Sequence, residues 1–170
     1  MRPILPMSPR RQLDPQMLGK HIDRLYRAAG FMCSSREEAE DLVQETFERV
    51  LAKPRMLRSD DDLGYLLRVL RNTCVNRRRA VARRPQTVAL SETSSLLEDP
   101  SAGKSDARLE RMELYDAVAS LPDIFRDVLV AIDIVGLSYR EAAATLGVRE
   151  ATVTTRLHRG RQRVASQICP

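Results

Sequence analysis

From Asp14 to Phe31 the apolar residues Met17, Leu18, Ile22, Leu25, Tyr26 and Ala29 recur every three or four positions. That spacing is the stripe of an amphipathic helix. A second helix is predicted from Ser35, whose hydroxyl can cap its first turn, with Ala39, Leu42, Val43, Phe47, Val50 and Leu51 turned inward and Pro54 helping to close it. The polar stretch that follows ends in Asp60-Asp61-Asp62, a negative cluster suited to a helix start. The third helix, residues 63–83, buries Leu66, Leu67, Val69 and Leu70, with Cys74 and Val75 continuing the stripe. Three helices around one core predict a domain over residues 14–84.

The periodicity stops at Pro85. Residues 85–106 are rich in Ser, Thr, Pro, Gly and acids and show no apolar face, which predicts a flexible linker able to reach about 70 Å when extended. Val88-Ala89-Leu90 and Leu96-Leu97 are more apolar than a passive spacer requires, and fit docking on a partner or packing on either domain equally well. Residues 1–13 carry three prolines and three arginines and read as a mobile basic arm. Helical spacing resumes at Ala107 with Leu109, Met112, Leu114, Tyr115, Val118 and Leu121. Pro122 then sits in the first turn of a helix over Asp123 to Val135, with Ile124, Phe125, Val128, Leu129, Ala131 and Ile132 inward and Gly136 at its end.

The next segment sharpens the picture. Ser138 and Glu141 have capping-box spacing, Ala142, Ala143 and Leu146 face inward, and Gly147 permits a tight turn. A second helix then arranges Thr152, Thr155, Arg156, His158, Arg159, Arg161 and Arg163 around a thin seam of Val153, Leu157 and Val164. A helix-turn-helix with a cationic second helix suits the DNA major groove. The prediction is an all-α fold of two small helical domains joined by a flexible linker, with the helix-turn-helix in the C-terminal domain, residues 107–170. Two modest cores suit this length better than one large one.

Composition agrees. The chain has 170 residues, no Trp and 4% aromatic residues, so its cores are aliphatic and base stacking on an aromatic platform does not dominate. The net charge is +5 and unevenly spread: seven arginines and no acid lie between Arg68 and Arg84, whereas Glu37, Glu38, Glu40, Asp41, Glu45 and Glu48 crowd one earlier helix. Such a chain carries separate acidic and basic surfaces. Cys33, Cys74 and Cys169 are too few and too scattered for a disulfide framework or a zinc site, and read as packing residues or incidental thiols rather than redox sensors. His21 and His158 have no ligand-spaced partner, so no metal site is expected. Neither a membrane span nor a signal peptide is visible, which predicts a cytoplasmic protein without membrane insertion. No nucleophilic triad, phosphate loop or carboxylate pair is evident, so no catalytic residues, no cofactor and no enzymatic activity are expected.

Two further patterns carry function. Asp41, Gln44, Glu45 and Glu48 share an exposed helix face, which is either a solvated surface or an acidic docking surface for a basic protein. Arg68, Asn72, Asn76 and Arg79 recur every three or four residues on a polar stripe; arginine neutralises phosphate, and Asn amides bond base edges or an exposed base. The absence of acids from this stripe favours nucleic-acid contact over simple solvation.

Together these residues resemble the extracytoplasmic-function sigma factors, small two-domain bacterial transcription initiation factors, over residues 17–84 and 107–166. Ala39-Glu-Asp-Leu-Val-Gln-Glu-Thr-Phe47 is similar to the family's core-polymerase-binding helix, Leu66 to Arg79 to its −10 reader, and Leu121-Pro-Asp through Arg161 to its −35 reader. The resemblance implies that Asp41, Gln44, Glu45 and Arg49 contact the polymerase clamp. It implies that Arg68, Asn72, Asn76, Arg79 and the loop before Leu63 open and hold the −10 element. Thr154, Thr155, Arg156, His158 and Arg159 would meet the −35 duplex. Implied partners are bacterial core RNA polymerase, promoter DNA and an anti-sigma factor. Tyr65, Asn76 and Ala151-Thr-Val-Thr-Thr-Arg156 depart from residues common in the family; Thr154 in place of a basic residue removes a phosphate or guanine contact, so relatives' promoter preferences do not transfer. Two alternatives remain at this level: a stand-alone helix-turn-helix regulator, and a sigma-like adaptor that titrates a regulatory protein.

Overall fold

The computed structural model describes residues 11–53, 56–57, 61–83 and 105–168, and only the main chain of Arg11, Met17 and residues 105–111. Residues 1–10 of the expected arm, Pro54, Asp60, Arg84, residues 85–104 of the expected linker and Cys169 lie outside the described residues. Among those described are seven α-helices: α1 (Ile22–Gly30), α2 (Arg36–Ala52), α3 (Asp62–Ala82), α4 (Ser105–Ala119), α5 (Asp123–Leu129), α6 (Tyr139–Leu146) and α7 (Glu150–Ile168). The first three form one helical domain and the last four another.

The expected first helix is divided. Asp14 accepts from the Gln16 N–H, Pro15 fixes the first turn, and Pro15–His21 winds as a 3-10 helix before α1 takes over. The arm reading is corrected at its end: Leu13 is buried, and β1 (Arg11–Gln12) pairs antiparallel with β2 (Met56–Leu57), placing Arg11 opposite Leu57. This short ladder satisfies main-chain groups on both sides, and no alternation of apolar residues announces strands of only two residues. Ser35 caps α2 by accepting from the Glu38 N–H, and Asp61 caps α3 by accepting from Gly64.

Pro122 is the N-cap residue of α5, one position earlier than expected, and α5 is extended by a π-helical turn, Val130–Ile134. The capping box of α6 is present, with Ser138 and Glu141 bonded reciprocally. Gly136 (φ +81°) and Gly147 (φ +68°) take left-handed conformations before and after α6, which a side chain would strain.

The stripes are narrower than the spacing suggests. Leu25, Leu42, Leu66, Leu67, Leu70, Val128 and Leu157 are buried, but Ile22, Tyr26, Leu51, Met112, Leu114 and Ile124 are exposed, because each lies at the margin of its helix's apolar arc. The expectation of two separate cores is corrected: the buried apolar residues of both domains form one continuous cluster. The junction is made by Phe31, whose ring stacks on Tyr115 at 4.0 Å, and by Gly30, where an added Cβ would lie 3.6 Å from the Tyr115 ring. Low side-chain volume at Gly30 and Gly64 lets the α4–α7 unit approach closely.

Candidate functional site

The acidic face of α2 is not free to act as a whole. Glu45 is held from two sides, by Arg49 one turn on at 2.6 Å and by Arg77 of α3, whose Nη2 lies 2.5 Å from Glu45 and also donates to the Asp41 carbonyl at 3.0 Å. Gln44 donates to Glu48 at 2.9 Å. The Asp41 and Gln44 side chains are exposed, whereas Glu45 and Arg49 form part of a clamp between α2 and α3. Of the four residues expected on the docking surface, all lie on α2, and two of them already serve the fold.

The α3 stripe divides in the same way. Asn72, Asn76 and Arg79 are exposed. Arg68 instead reaches across to the C-terminal end of α6, where its Nε donates to the Thr145 carbonyl at 3.0 Å and another nitrogen to the Ala144 carbonyl. Carbonyls at a helix C-terminus carry partial negative charge and lack helical partners, so a guanidinium is a natural occupant. Beside it, Gly64 packs so close to α6 that an added Cβ would lie 2.6 Å from Thr145 Oγ1. This contact also explains why Thr145 is buried while Leu146, expected inward, is half-buried.

Two further arginines, neither expected to make such contacts, extend the junction, and a third braces the helices behind it. Arg71 pairs with Asp127 of α5, and Arg78 pairs with Asp123 at 2.8 Å. Burial pushes the Asp127 carboxyl above its ordinary value of 3.8 even though Arg71 pulls the other way. Arg126 is buried and donates to the Val118 carbonyl at 3.2 Å, to Leu121 at 2.6 Å, to Ala119, and to Asp123 at 2.9 Å. It fastens the end of α4 to the start of α5. The sequence signal for Arg126 and Asp127 is an ion pair's worth of charge set inside an otherwise apolar run, Phe125 to Ala131.

In the helix-turn-helix, Val153 and Leu157 anchor α7 and leave one face outward. His158, Arg159, Thr154 and Thr155 are exposed, and Arg156 is half-buried. The Thr154 and Thr155 hydroxyls donate back to the Glu150 and Ala151 carbonyls at 3.1 and 2.9 Å, which leaves their oxygen lone pairs and methyl groups outward. Arg161 forms a two-point pair with Asp133 at 2.6 and 3.1 Å, and Arg163 lies 4.3 Å over the Phe125 ring, so both are committed to packing. The Ser138 hydrogen bonds lower the Glu141 carboxyl below its ordinary value of 4.5. No group of three or more His, Cys, Asp or Glu among the described residues is arranged to hold a metal, and no described helix is long and apolar enough to cross a membrane.

A capped helix pair that turns Arg159, His158 and two threonines outward has the form of a helix-turn-helix. The geometry therefore defines a two-domain helical protein with a helix-turn-helix and a second, polar helix surface on α2. Family models go further: residues 17–84 match Sigma-70 region 2, and residues 111–164 match Sigma-70 region 4. ECF RNA polymerase sigma factor SigE of Mycolicibacterium smegmatis is 39% identical over 155 residues, which cover 88% of this chain and 59% of that protein. SigL of Mycobacterium tuberculosis, also an ECF RNA polymerase sigma factor, is 31% identical over 82% of this chain and 79% of its own. The chain belongs to the ECF RNA polymerase sigma factors.

Solved structures share the fold. The sigma factor RpoE of Bartonella quintana, in complex with the anti-sigma factor NepR, has a TM-score of 0.75 and 24% identity over 90% of this chain and 94% of its own. CnrH, in complex with the cytosolic domain of CnrY, has a TM-score of 0.60 and 25% identity over 89% of this chain and 84% of its own.

Proposed function

We propose that this chain is a dissociable, non-catalytic initiation subunit that acts in the cytoplasm. It binds bacterial core RNA polymerase through α2, recognises the −35 element through α7, and opens the −10 element through α3. The observation that carries this reading is one chain holding both the exposed Asp41 and Gln44 beside the Arg77 clamp and the exposed Asn72, Asn76 and Arg79 of α3. A stand-alone helix-turn-helix regulator has no use for either. Asn72 and Asn76 are assigned to the −10 strand, where amides hold extruded bases, and Arg68 and Arg79 to its phosphates. Thr154, Thr155, Arg156, His158 and Arg159 are assigned to the −35 duplex, and polymerase supplies all of the chemistry. The domain assignment follows: residues 14–84 for polymerase and −10, residues 107–170 for −35, and the intervening segment as the tether.

The closed arrangement bears on regulation. Arg68, assigned to the −10 strand, is occupied by α6 carbonyls, so the two domains must part before α3 can bind DNA along its whole length. Two structural relatives were solved with protein partners, one of them an anti-sigma factor. By analogy this chain takes an anti-sigma domain that holds it away from polymerase. The adaptor alternative predicts binding of such a partner without transcription.

Run-off transcription with sigma-free core polymerase on a promoter library tests the reading. Asp41→Arg with Gln44→Ala is the discriminating variant, because both side chains are exposed, whereas changing Glu45 also breaks its pairs with Arg49 and Arg77. Promoter-dependent transcripts that disappear in this folded variant are the expected result. A well-folded protein that binds duplex DNA but neither core nor transcript start sites would overturn it.

A further inference from the structure

Cys33 and Cys74 come from different elements, the α1–α2 connection and the middle of α3, yet line one cavity of about 580 Å³. Glu38, Leu42, Arg77, Arg78 and Val81 line it too. Cys33 is half-buried and Cys74 buried. The Cys74 thiol lies 3.7 Å from the Met32 carbonyl oxygen, which belongs to the residue preceding Cys33, so both cysteines border the same space.

Arg78 donates to the same Met32 oxygen at 2.5 Å, placing a guanidinium beside the pair. The hydrogen bond from Cys33 is the main cause that lowers Cys74 from 9.0 to about 7; Arg78 and Arg126 assist, while burial and Asp123 oppose. The same bond, with burial and the nearby Glu38, pushes Cys33 up. As a thiol Cys74 donates to Met32; once ionised it accepts from Cys33, and Arg78 keeps the Met32 oxygen satisfied. The pair thus divides into a nucleophile and a protonated partner, the arrangement of reactive rather than inert cysteines.

We propose that Cys33 and Cys74 are an oxidisable dithiol that a hydroperoxide converts to an intramolecular disulfide. The Cys74 thiolate attacks the peroxide, forming an S–O bond as the O–O bond breaks; the leaving oxygen takes up the proton that Cys74 gave up. The Cys33 sulfur then displaces the sulfenic oxygen, the S–S bond forms, and that oxygen leaves as water with the Cys33 proton. Two thiols lose two electrons and one hydroperoxide is reduced. A disulfide is about 2.05 Å long, so the sulfurs must close further, and the cavity beside them gives room for the shift. The bond would tie the α1–α2 connection to α3 next to Phe31, which stacks on Tyr115, and Arg78, which pairs with Asp123. The modification therefore lies beneath the contact between domains. This proposal does not depend on the polymerase-binding reading.

The test uses the full chain carrying Cys169→Ser, treated with hydrogen peroxide and followed by intact mass and non-reducing peptide mapping. A Cys33–Cys74 linked peptide, with loss of two hydrogens and reversal by dithiothreitol, is expected. It should form about tenfold faster in the folded chain than in urea, because the lowered pKa of Cys74 raises its thiolate fraction near neutral pH. In a Cys33→Ala variant shown to be folded, dimedone should trap sulfenic acid at Cys74, and the pH midpoint of Cys74 alkylation should rise. Failure of the linked peptide to form in the folded Cys169→Ser chain overturns the proposal, whatever the fate of the Cys33→Ala variant. So does a sulfenic acid that forms at Cys33 in preference to Cys74.

Discussion

Arg71 and Asp127 make a pair whose two halves should respond unequally to mutation. Asp127 is buried, with a side chain 9% exposed, and Arg71 is 32% exposed. At an effective dielectric near 20 the attraction of such a pair is about 4 kcal/mol at 4 Å, and desolvation of the carboxylate works against it. The raised carboxyl of Asp127 says that burial outweighs the arginine. Asp127→Asn, which keeps an acceptor for Arg71 and removes the charge, should therefore change closure by no more than about 1 kcal/mol. Arg71→Met leaves a buried carboxylate without its cation. Breaking a fully buried pair this way costs about 3–5 kcal/mol, and solvent access at Arg71 reduces that to about 1–3 kcal/mol. Opening the domains lets water replace the missing cation, so the closed-to-open ratio should fall about 5- to 150-fold. Small-angle X-ray scattering reads the opening, and urea unfolding reads the stability. Stability from Asp127 is greatest below its unfolded value of 3.8 and declines as pH rises through the raised folded value, because the folded state holds the proton more tightly. The Asn variant should lack this decline. Equal opening by the two variants, or greater opening by Asp127→Asn, would refute the reasoning.

Other outcomes follow from the same contacts. Thr73 is fully buried with no hydrogen-bond partner for its hydroxyl, so Thr73→Val should stabilise the protein by about 1 kcal/mol in urea unfolding. Ser138→Ala removes the α6 cap and should cost about 1 kcal/mol; the Glu141 contribution, present above 4.5, should vanish as pH falls through the lowered folded value in the wild type and be absent from the variant. Arg126→Met strands three carbonyls and leaves Asp123 to Arg78 alone, and should cost about 2–4 kcal/mol, whereas Arg161→Ala, which breaks a more exposed pair, should cost no more than about 1 kcal/mol in thermal melts. Arg159→Ala should weaken −35 duplex binding and reduce its salt dependence by about one counterion, as read by anisotropy titrations across salt.

The helices were legible because Leu25, Leu42, Leu66, Leu70, Val128 and Leu157 obey one period, and the Ser35, Ser138 and Gly147 caps are local signals that need no tertiary knowledge. What periodicity does not carry is the destination of a long charged side chain. Arg68, Arg71, Arg77 and Arg78 read alike as a basic run, yet in the fold they reach α6 carbonyls, Asp127, Glu45 and Asp123 respectively, while Arg79 on the same helix stays exposed. The guanidinium is selective for planar oxygen acceptors but indifferent to whether a carboxylate, a helix end or a phosphate supplies them. Under the proposed function, domain closure and DNA binding are therefore competing uses of one donor, Arg68. A partner that stabilises the closed form withdraws Arg68 from the stripe, and DNA that claims Arg68 also removes a contact that holds α6 against α3.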